Sequence, residues 1–114
     1  MFEKNLEIGL LLDFYGDILP QRKRDLLDLY YNDDLSLSEI AEQMGITRQA
    51  VRDSIKKTEC ELLFYEEKLG LRRRFTEAQT RAEAALRLCR EGGAAIPAEL
   101  TEELEAVLTA VSIE

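Results

Sequence analysis

Basic and amide side chains recur at helical spacing in the stretch GITRQAVRDSIKK, residues 45–57. They carry the N–H donors that contact phosphates and base edges in nucleic acid, and they are Arg48, Gln49, Arg52, Lys56 and Lys57. Residues four apart share one side of a helix, so Arg48, Arg52 and Lys56 would form a row. Four basic residues against the acidic Asp53 give this stretch a charge of +3. These features predict a helix that contacts nucleic acid.

The charge of the whole chain keeps two alternatives open. The 114 residues carry a formal net charge of −8, so the chain repels a polyanion at long range and nucleic-acid binding has to come from a local basic patch. Asp53 belongs to the same predicted face and would also be repelled by phosphate. The face could instead dock a protein, or it could be the solvated surface of an ordinary helix.

Two further groups of basic residues lie outside this stretch. Arg22, Lys23 and Arg24 stand at the start of a predicted helix and could hold a phosphate backbone. Three consecutive arginines at residues 72–74 would be spread round a helix and not gathered on one face. We interpret residues 72–74 as solvated surface, with contact to RNA or to an acidic partner as the alternative.

The elements that would position the basic row have the pattern of a helix-turn-helix. The stretch SLSE, residues 36–39, is a capping box that begins a short helix. Gly45 provides a sharp turn, and Thr47 caps the next helix. Small or aliphatic residues fill the space between the two helices: Ile40, Ala41, Met44, Ile46, Val51 and Ile55.

The first helix is predicted from a row of apolar residues near the N-terminus. Phe2, Leu6, Leu10 and Phe14 recur every four residues, and Leu11 and Tyr15 belong to the same broad face, which predicts a helix that buries this face. Gly16 follows as its C′ residue.

The remaining chain also has helical periodicity and no alternation typical of strands. A second helix begins near Pro20, which suits a first helical position, and the last helix covers residues 97–112. From Thr47 the helical pattern continues without proline, and Gly70 inside it costs only about 1 kcal/mol relative to alanine. We therefore predict one long helix over residues 47–90 and an all-α fold.

The long predicted helix has consequences for domains and partners. Residues 1–70 would form the helix-turn-helix domain and residues 71–114 a helical extension for packing or dimerisation. A helix of this length would exceed roughly 60 Å at about 1.5 Å per residue, which one small domain cannot cover, so we expect a homodimer. If the chain folds back at Gly70, the last two helices could instead cover the apolar seam in the monomer. The seam consists of Val51, Ile55, Thr58, Leu62, Tyr65 and Leu69.

The composition of the chain does not support a catalytic or a metal-binding function. The chain has no histidine, the commonest general base near neutral pH, and no phosphate-binding glycine loop. We interpret its two cysteines, Cys60 and Cys89, as small buried side chains. We expect no enzymatic activity, no cofactor and no metal.

The N-terminal stretch MFEKNLEIG is acidic and unlike a secretory signal. The longest apolar block is too short to span a bilayer. We expect a cytoplasmic protein without membrane insertion.

Two stretches carry a resemblance to known families. LPQRKRDLLDLYY and LSLSEIAEQMGITRQAVRDSIKK resemble region four of the bacterial housekeeping sigma factors. More closely, residues 5–70 resemble the YlxM family of bacterial helix-turn-helix proteins, through LLDFYGDILPQRKRDLLDLYYNDDLSLSEIAEQMGITRQAVRDSIKKTE and the following LLFYEEKL.

The resemblance implies a sigma-region-four-like helical bundle and a regulatory role in the bacterial signal recognition particle pathway. The implied partners are the GTPase and the RNA of that particle. An adaptor that binds the GTPase without touching nucleic acid is the alternative. DNA and RNA are not distinguished, because both present the same phosphates to the same arginines.

Overall fold

The computed structural model describes residues 4–111 and, within them, contains helices and no strand. The helices are α1 Leu6–Tyr15, α2 Gln21–Leu27, α3 Leu37–Met44, α4 Arg48–Leu69, α5 Leu71–Glu91 and α6 Ala98–Val111. A π-helical turn, Asp28–Asn32, continues α2, and short 3₁₀ turns cover Gly16–Ile18 and Gly93–Ala95. The all-α prediction is confirmed. No helix in residues 4–111 is both long and apolar enough to cross a membrane.

The chain divides into two compact units between Gly70 and Leu71. In the first unit, α1, α2 and α3 all pack on α4. The face of α4 that they cover is fully buried and consists of Val51, Ile55, Thr58 and Leu62. Burying an aliphatic side chain of this size contributes about 1.5–3 kcal/mol. The buried Thr58 hydroxyl donates to the Ser54 carbonyl at 2.8 Å, so its polar atom is not left unpaired.

The face by which α1 packs agrees with the predicted one only in part. The buried residues are Ile8, Leu11, Leu12 and Tyr15, whereas Leu6 is 84% exposed. The prediction is therefore confirmed for Leu11 and Tyr15 and wrong for Leu6 and Leu10, while Phe14 is half-buried and Phe2 lies outside the described residues. Because α1 is apolar on almost every side, periodicity alone could not select the face that meets α4.

Acidic residues of α4 hold the preceding helices in place. The Tyr15 hydroxyl donates to a Glu66 carboxylate oxygen at 2.6 Å, and the Tyr31 hydroxyl donates to Glu59. Burial raises the pKa of the Tyr31 hydroxyl, and its bond to Glu59 raises it further. Tyr31 therefore stays protonated and remains a donor throughout the physiological range.

Gly16 does not have the role predicted for it at the end of α1. Its φ of −56° is right-handed, so it is not a C′ residue of the positive-φ kind. A Cβ at this position would lie 3.4 Å from both the Leu12 side chain and the Arg24 guanidinium carbon. These are ordinary van der Waals distances, so neither the backbone conformation nor the packing requires glycine here.

The turn between α3 and α4 follows the predicted local rules. The Ser36 hydroxyl accepts from the backbone N–H of Glu39 at 3.1 Å, and the Glu39 carboxylate accepts from the backbone N–H of Ser36 at 2.9 Å. Gly45 has a φ of +70°, and its N–H donates to the Ala41 carbonyl. The Thr47 hydroxyl then accepts from the N–H of Ala50 at 3.0 Å, which begins α4.

The long helix predicted over residues 47–90 is wrong. Helix α4 ends at Leu69, and Gly70 adopts a φ of +62° while its N–H closes the last turn on the Glu66 carbonyl at 2.8 Å. Glycine has no Cβ to oppose this left-handed conformation, so it can end a helix without a proline. Helices α1–α3 bury four residues of the apolar seam, Val51, Ile55, Thr58 and Leu62, whereas Tyr65 is half-buried and Leu69 is 47% exposed. Because α4 has only 22 residues, helix length no longer predicts a homodimer.

The second unit is a hairpin of α5 and α6. The Arg90 guanidinium lies 3.4 Å from a Glu105 carboxylate oxygen, and Leu86 and Leu108 line one cavity between the helices. These contacts place α6 antiparallel to the second half of α5. The predicted end of the last helix, Ser112, lies outside the described residues.

Replacing Gly45 with alanine tests the conformation of the turn. No atom lies within 4 Å of a Cβ built there, so the cost is conformational and amounts to about 1–2 kcal/mol of the free energy of unfolding. Urea denaturation of the Gly45→Ala variant measures it. Asparagine adopts positive φ more readily, so Gly45→Asn should lose less; equal losses in the two variants would contradict this account.

A double-mutant cycle tests the contact between α1 and the end of α4. Removing the hydroxyl in Tyr15→Phe should lower the free energy of unfolding by about 1.5–3 kcal/mol, because the hydrogen bond reaches a charged acceptor. The cycle combines this variant with Glu66→Ala in thermal or urea unfolding. The losses should be less than additive; additivity within about 0.5 kcal/mol would show that the two groups do not interact.

Candidate nucleic-acid interface

The first half of α4 presents one polar face to solvent. Val51 and Ile55 are fully buried, and this sets the rotation of the helix in the domain. All five predicted contact residues are consequently exposed: Arg48, Gln49, Arg52, Lys56 and Lys57. We call this group the basic face. Its side chains stand on a helix whose start is defined by the Thr47 cap.

Residues predicted to pack the helix-turn-helix have the burial that such packing requires. Ile40, Ala41, Val51 and Ile55 are buried, whereas Met44 and Ile46 are half-buried. Gly45 is exposed at the turn.

Asp53 interacts within the basic face. Its carboxylate accepts from the Gln49 amide N–H at 2.9 Å, one helical turn away. This pair orients the Gln49 amide and leaves its oxygen and second N–H available, the combination that pairs with an adenine edge. Asp53 thus orients the Gln49 amide, although its negative charge would repel a phosphate.

Arg48 lies beside the start of α3. It lines a cavity of about 480 Å³ together with Lys4, Tyr30, Ser36 and Glu39. Arg48 makes no hydrogen bond or ion pair with any residue from 4 to 111. Its five N–H donors are therefore directed to solvent or to a ligand.

The acidic neighbours of Arg48 are held by partners of their own. Asp34 pairs with Lys4, whose ammonium holds the pKa of that carboxyl below its usual value. The backbone N–H and the hydroxyl of Ser36 lower the pKa of Glu39. Because the pKa of Glu39 is lowered, its carboxylate contributes its full stabilisation of the helix start above the ordinary glutamate pKa. This contribution is lost as the pH falls through the lowered pKa.

The second basic group is largely used inside the domain. Lys23 is half-buried and lies 2.5 Å from a Glu61 carboxylate oxygen, and Arg24 pairs with Asp17 and lies 3.7 Å from Asp28. Arg22 is exposed and makes no such pair with residues 4–111. Of these three residues, Arg22 is therefore the one whose guanidinium N–H groups have no partner among residues 4–111.

Sequence reasoning did not find Lys4 as part of this region. Its ammonium also lies 4.9 Å from the centre of the Tyr30 ring. Lys4 and Asp34 are thirty residues apart, so no local pattern could have associated them; they meet because α1 and α2 both pack on α4.

The second half of α4 exposes apolar side chains. Leu63 and Leu69 are each 47% exposed, and the aromatic Phe64 is 53% exposed. Cys60 was predicted to be buried and is exposed, whereas Cys89 is buried as predicted. Cys60 and Phe64 line a shallow cavity of about 350 Å³.

Metal ligands do not gather anywhere in residues 4–111, because no group of three or more cysteine, aspartate or glutamate side chains lies within reach of one ion.

Comparison with known proteins gives two findings. Residues 2–87 match the model of a family described as "Putative helix-turn-helix protein, YlxM / p13 like". Relatives named UPF0122 protein occur in Bacillus cereus strain AH187, Bacillus anthracis strain A0248 and Bacillus thuringiensis subsp. konkukian strain 97-27. Each is 52% identical to this chain over 79 residues, which is 69% of this chain and 72% of the relative.

The family match extends over α1–α4, which include the turn at Gly45 and the basic face. It confirms the resemblance to the YlxM family. The chain belongs to the UPF0122 family of YlxM / p13-like helix-turn-helix proteins.

Proposed function

We propose that this chain is a regulatory protein that binds nucleic acid through the basic face of α4. The observation that carries the proposal is the exposed row of Arg48, Arg52 and Lys56 on a helix that follows a capped glycine turn. Arginine and glutamine side chains on such a helix can reach base edges in a DNA major groove, and lysines can hold phosphates. Arg22 is an additional backbone contact.

Binding through this face is weak and depends on salt. The net charge of −8 opposes the approach of a polyanion, so the favourable contribution comes from the few local cations and the counterions they release. The resemblance to the YlxM family makes the RNA of the signal recognition particle the first ligand to test beside DNA. A regulatory role in that pathway places the protein in the cytoplasm.

Removing two arginines from the basic face tests the proposal. The Arg48→Ala/Arg52→Ala variant should bind more weakly to both a mixed-sequence DNA duplex and an RNA hairpin of equal length. Each lost phosphate contact should reduce the magnitude of the slope of log binding constant against log salt concentration by about 1. Fluorescence anisotropy at several salt concentrations measures both quantities.

The matched control removes the same charge from elsewhere. Arg81 and Arg87 are exposed on α5, so Arg81→Ala/Arg87→Ala changes the net charge equally without touching the basic face. This control should retain most of the affinity. Equal losses in the two double variants would assign the effect to overall charge and refute a local site.

A substitution of Asp53 that should strengthen binding provides a second test. Asp53→Asn removes the negative charge but keeps an oxygen that can accept from Gln49. Affinity for both probes should rise severalfold, because a like charge near the phosphates is lost. An unchanged affinity in the same anisotropy titration would indicate that nucleic acid does not approach this face.

A second candidate function is supported by the apolar end of α4. The exposed Leu63, Phe64 and Leu69 offer contact area for a protein, and the family resemblance makes the GTPase of the signal recognition particle the partner to test. In this alternative the chain is an adaptor without direct contact to nucleic acid.

A substitution at Phe64 separates the two candidates. Phe64→Ser should weaken capture of the purified, RNase-treated GTPase at least tenfold if this end of α4 docks it, because an aromatic anchor is lost. Leu6→Ser, an exposed apolar position outside α4, is the control. Undiminished capture by Phe64→Ser, or capture that requires RNA, would reject the adaptor.

A further inference from the structure

The hairpin of α5 and α6 leaves much of its apolar surface uncovered. Its buried side chains, among those described, are Ala82, Leu86 and Cys89, all on α5, and none lies on α6. Leu100 and Val107 on α6 are 46% and 43% exposed. Units of about 40 residues seldom bury enough apolar area to be stable alone, so this hairpin needs a further partner surface.

The two helices differ in length, which leaves part of α5 without a neighbour in the hairpin. The contact of Arg90 with Glu105 sets the register, and α6 has 14 residues against 21 in α5. Helix α6 therefore runs beside the second half of α5. The apolar row of α5 continues through Ala78 beyond the last described turn of α6.

Charge is distributed unevenly along the hairpin. Residues 71–81 contain four arginines and one glutamate, a charge of +3. Residues 82–111 contain two arginines and six glutamates, a charge of −4. A second hairpin stacked in the same direction would place like charges together, whereas one stacked in the opposite direction would place opposite charges together.

We propose that a second copy of this chain docks antiparallel on the hairpin, so that four helices form one two-fold symmetric bundle. In such an isologous interface each copy uses the same surface, and α6 of each copy lies along the first half of the other copy's α5. The exposed Leu100 and Val107 become buried. Arg73 and Arg74 of one copy then lie near the glutamates at the start of α6 of the other. This inference does not depend on nucleic-acid binding.

Solution mass gives the first test. Sedimentation of the full chain should give twice the chain mass of 13.1 kDa. Leu100→Glu/Val107→Glu should shift the mass to that of one chain, because it introduces charge where the copies meet. The control Leu6→Glu/Ile18→Glu adds the same charge at exposed positions of the first unit and should remain dimeric. A wild-type chain that stays monomeric at high concentration would overturn the proposal.

Charge exchange between two variants tests the antiparallel arrangement. Arg73→Glu/Arg74→Glu changes the charge of residues 71–81 from +3 to −1, and Glu102→Arg/Glu103→Arg changes the charge of residues 82–111 from −4 to 0. Each variant alone should sediment as one chain, while their equimolar mixture should form a heterodimer with the mass of two. Circular dichroism checks that both variants stay helical. A mixture that remains monomeric, or single variants that still dimerise, would overturn the arrangement.

Discussion

Burial of one face of α4 is the interaction on which the first unit depends. Val51, Ile55, Thr58 and Leu62 are inaccessible to solvent because α1, α2 and α3 all pack on them. The same burial sets which side chains of α4 face outward. The core and the basic face are therefore two sides of one helix, and a change in its rotation would alter both.

Part of the negative charge of this chain belongs to carboxylates that make structural contacts. Glu59 and Glu66 accept from tyrosine hydroxyls, Glu61 pairs with Lys23, and Glu39 caps α3. Glu59, Glu61 and Glu66 lie on α4 and attach the preceding segments to it, whereas Glu39 stabilises the start of α3. The partner cation Lys23 is correspondingly not available to a ligand. Net charge alone is thus a poor guide to the local field at the basic face, where Arg48 makes no such pair with the described residues.

The two units differ in how completely each buries its own apolar residues. In the first, three helices pack on one face of a fourth and several side chains are fully inaccessible. In the second, two helices of unequal length meet along one line, and α6 has no buried residue. Two helices share a line of contact but cannot enclose a core, so the hairpin buries fewer apolar side chains than the first unit.

The sequence by itself determined the local elements of the helix-turn-helix. The capping box at Ser36, the turn at Gly45 and the cap at Thr47 depend on hydrogen bonds between residues a few positions apart, and such bonds depend on neighbouring residue types. Val51 and Ile55 could be assigned to the core because α4 is amphipathic there. The all-α class followed from the same helical periodicity.

Only the tertiary structure decided which side of α1 is buried, that Lys23 and Arg24 are engaged internally, and that Phe64 is exposed. These outcomes depend on contacts between residues far apart in the chain. Gly70 is an intermediate case: its type permits both a continuing helix and a left-handed end, and the folded chain adopts the second. Local hydrogen bonding is determined by adjacent residues, whereas the choice among several apolar faces is made by the partner surface that buries the most area.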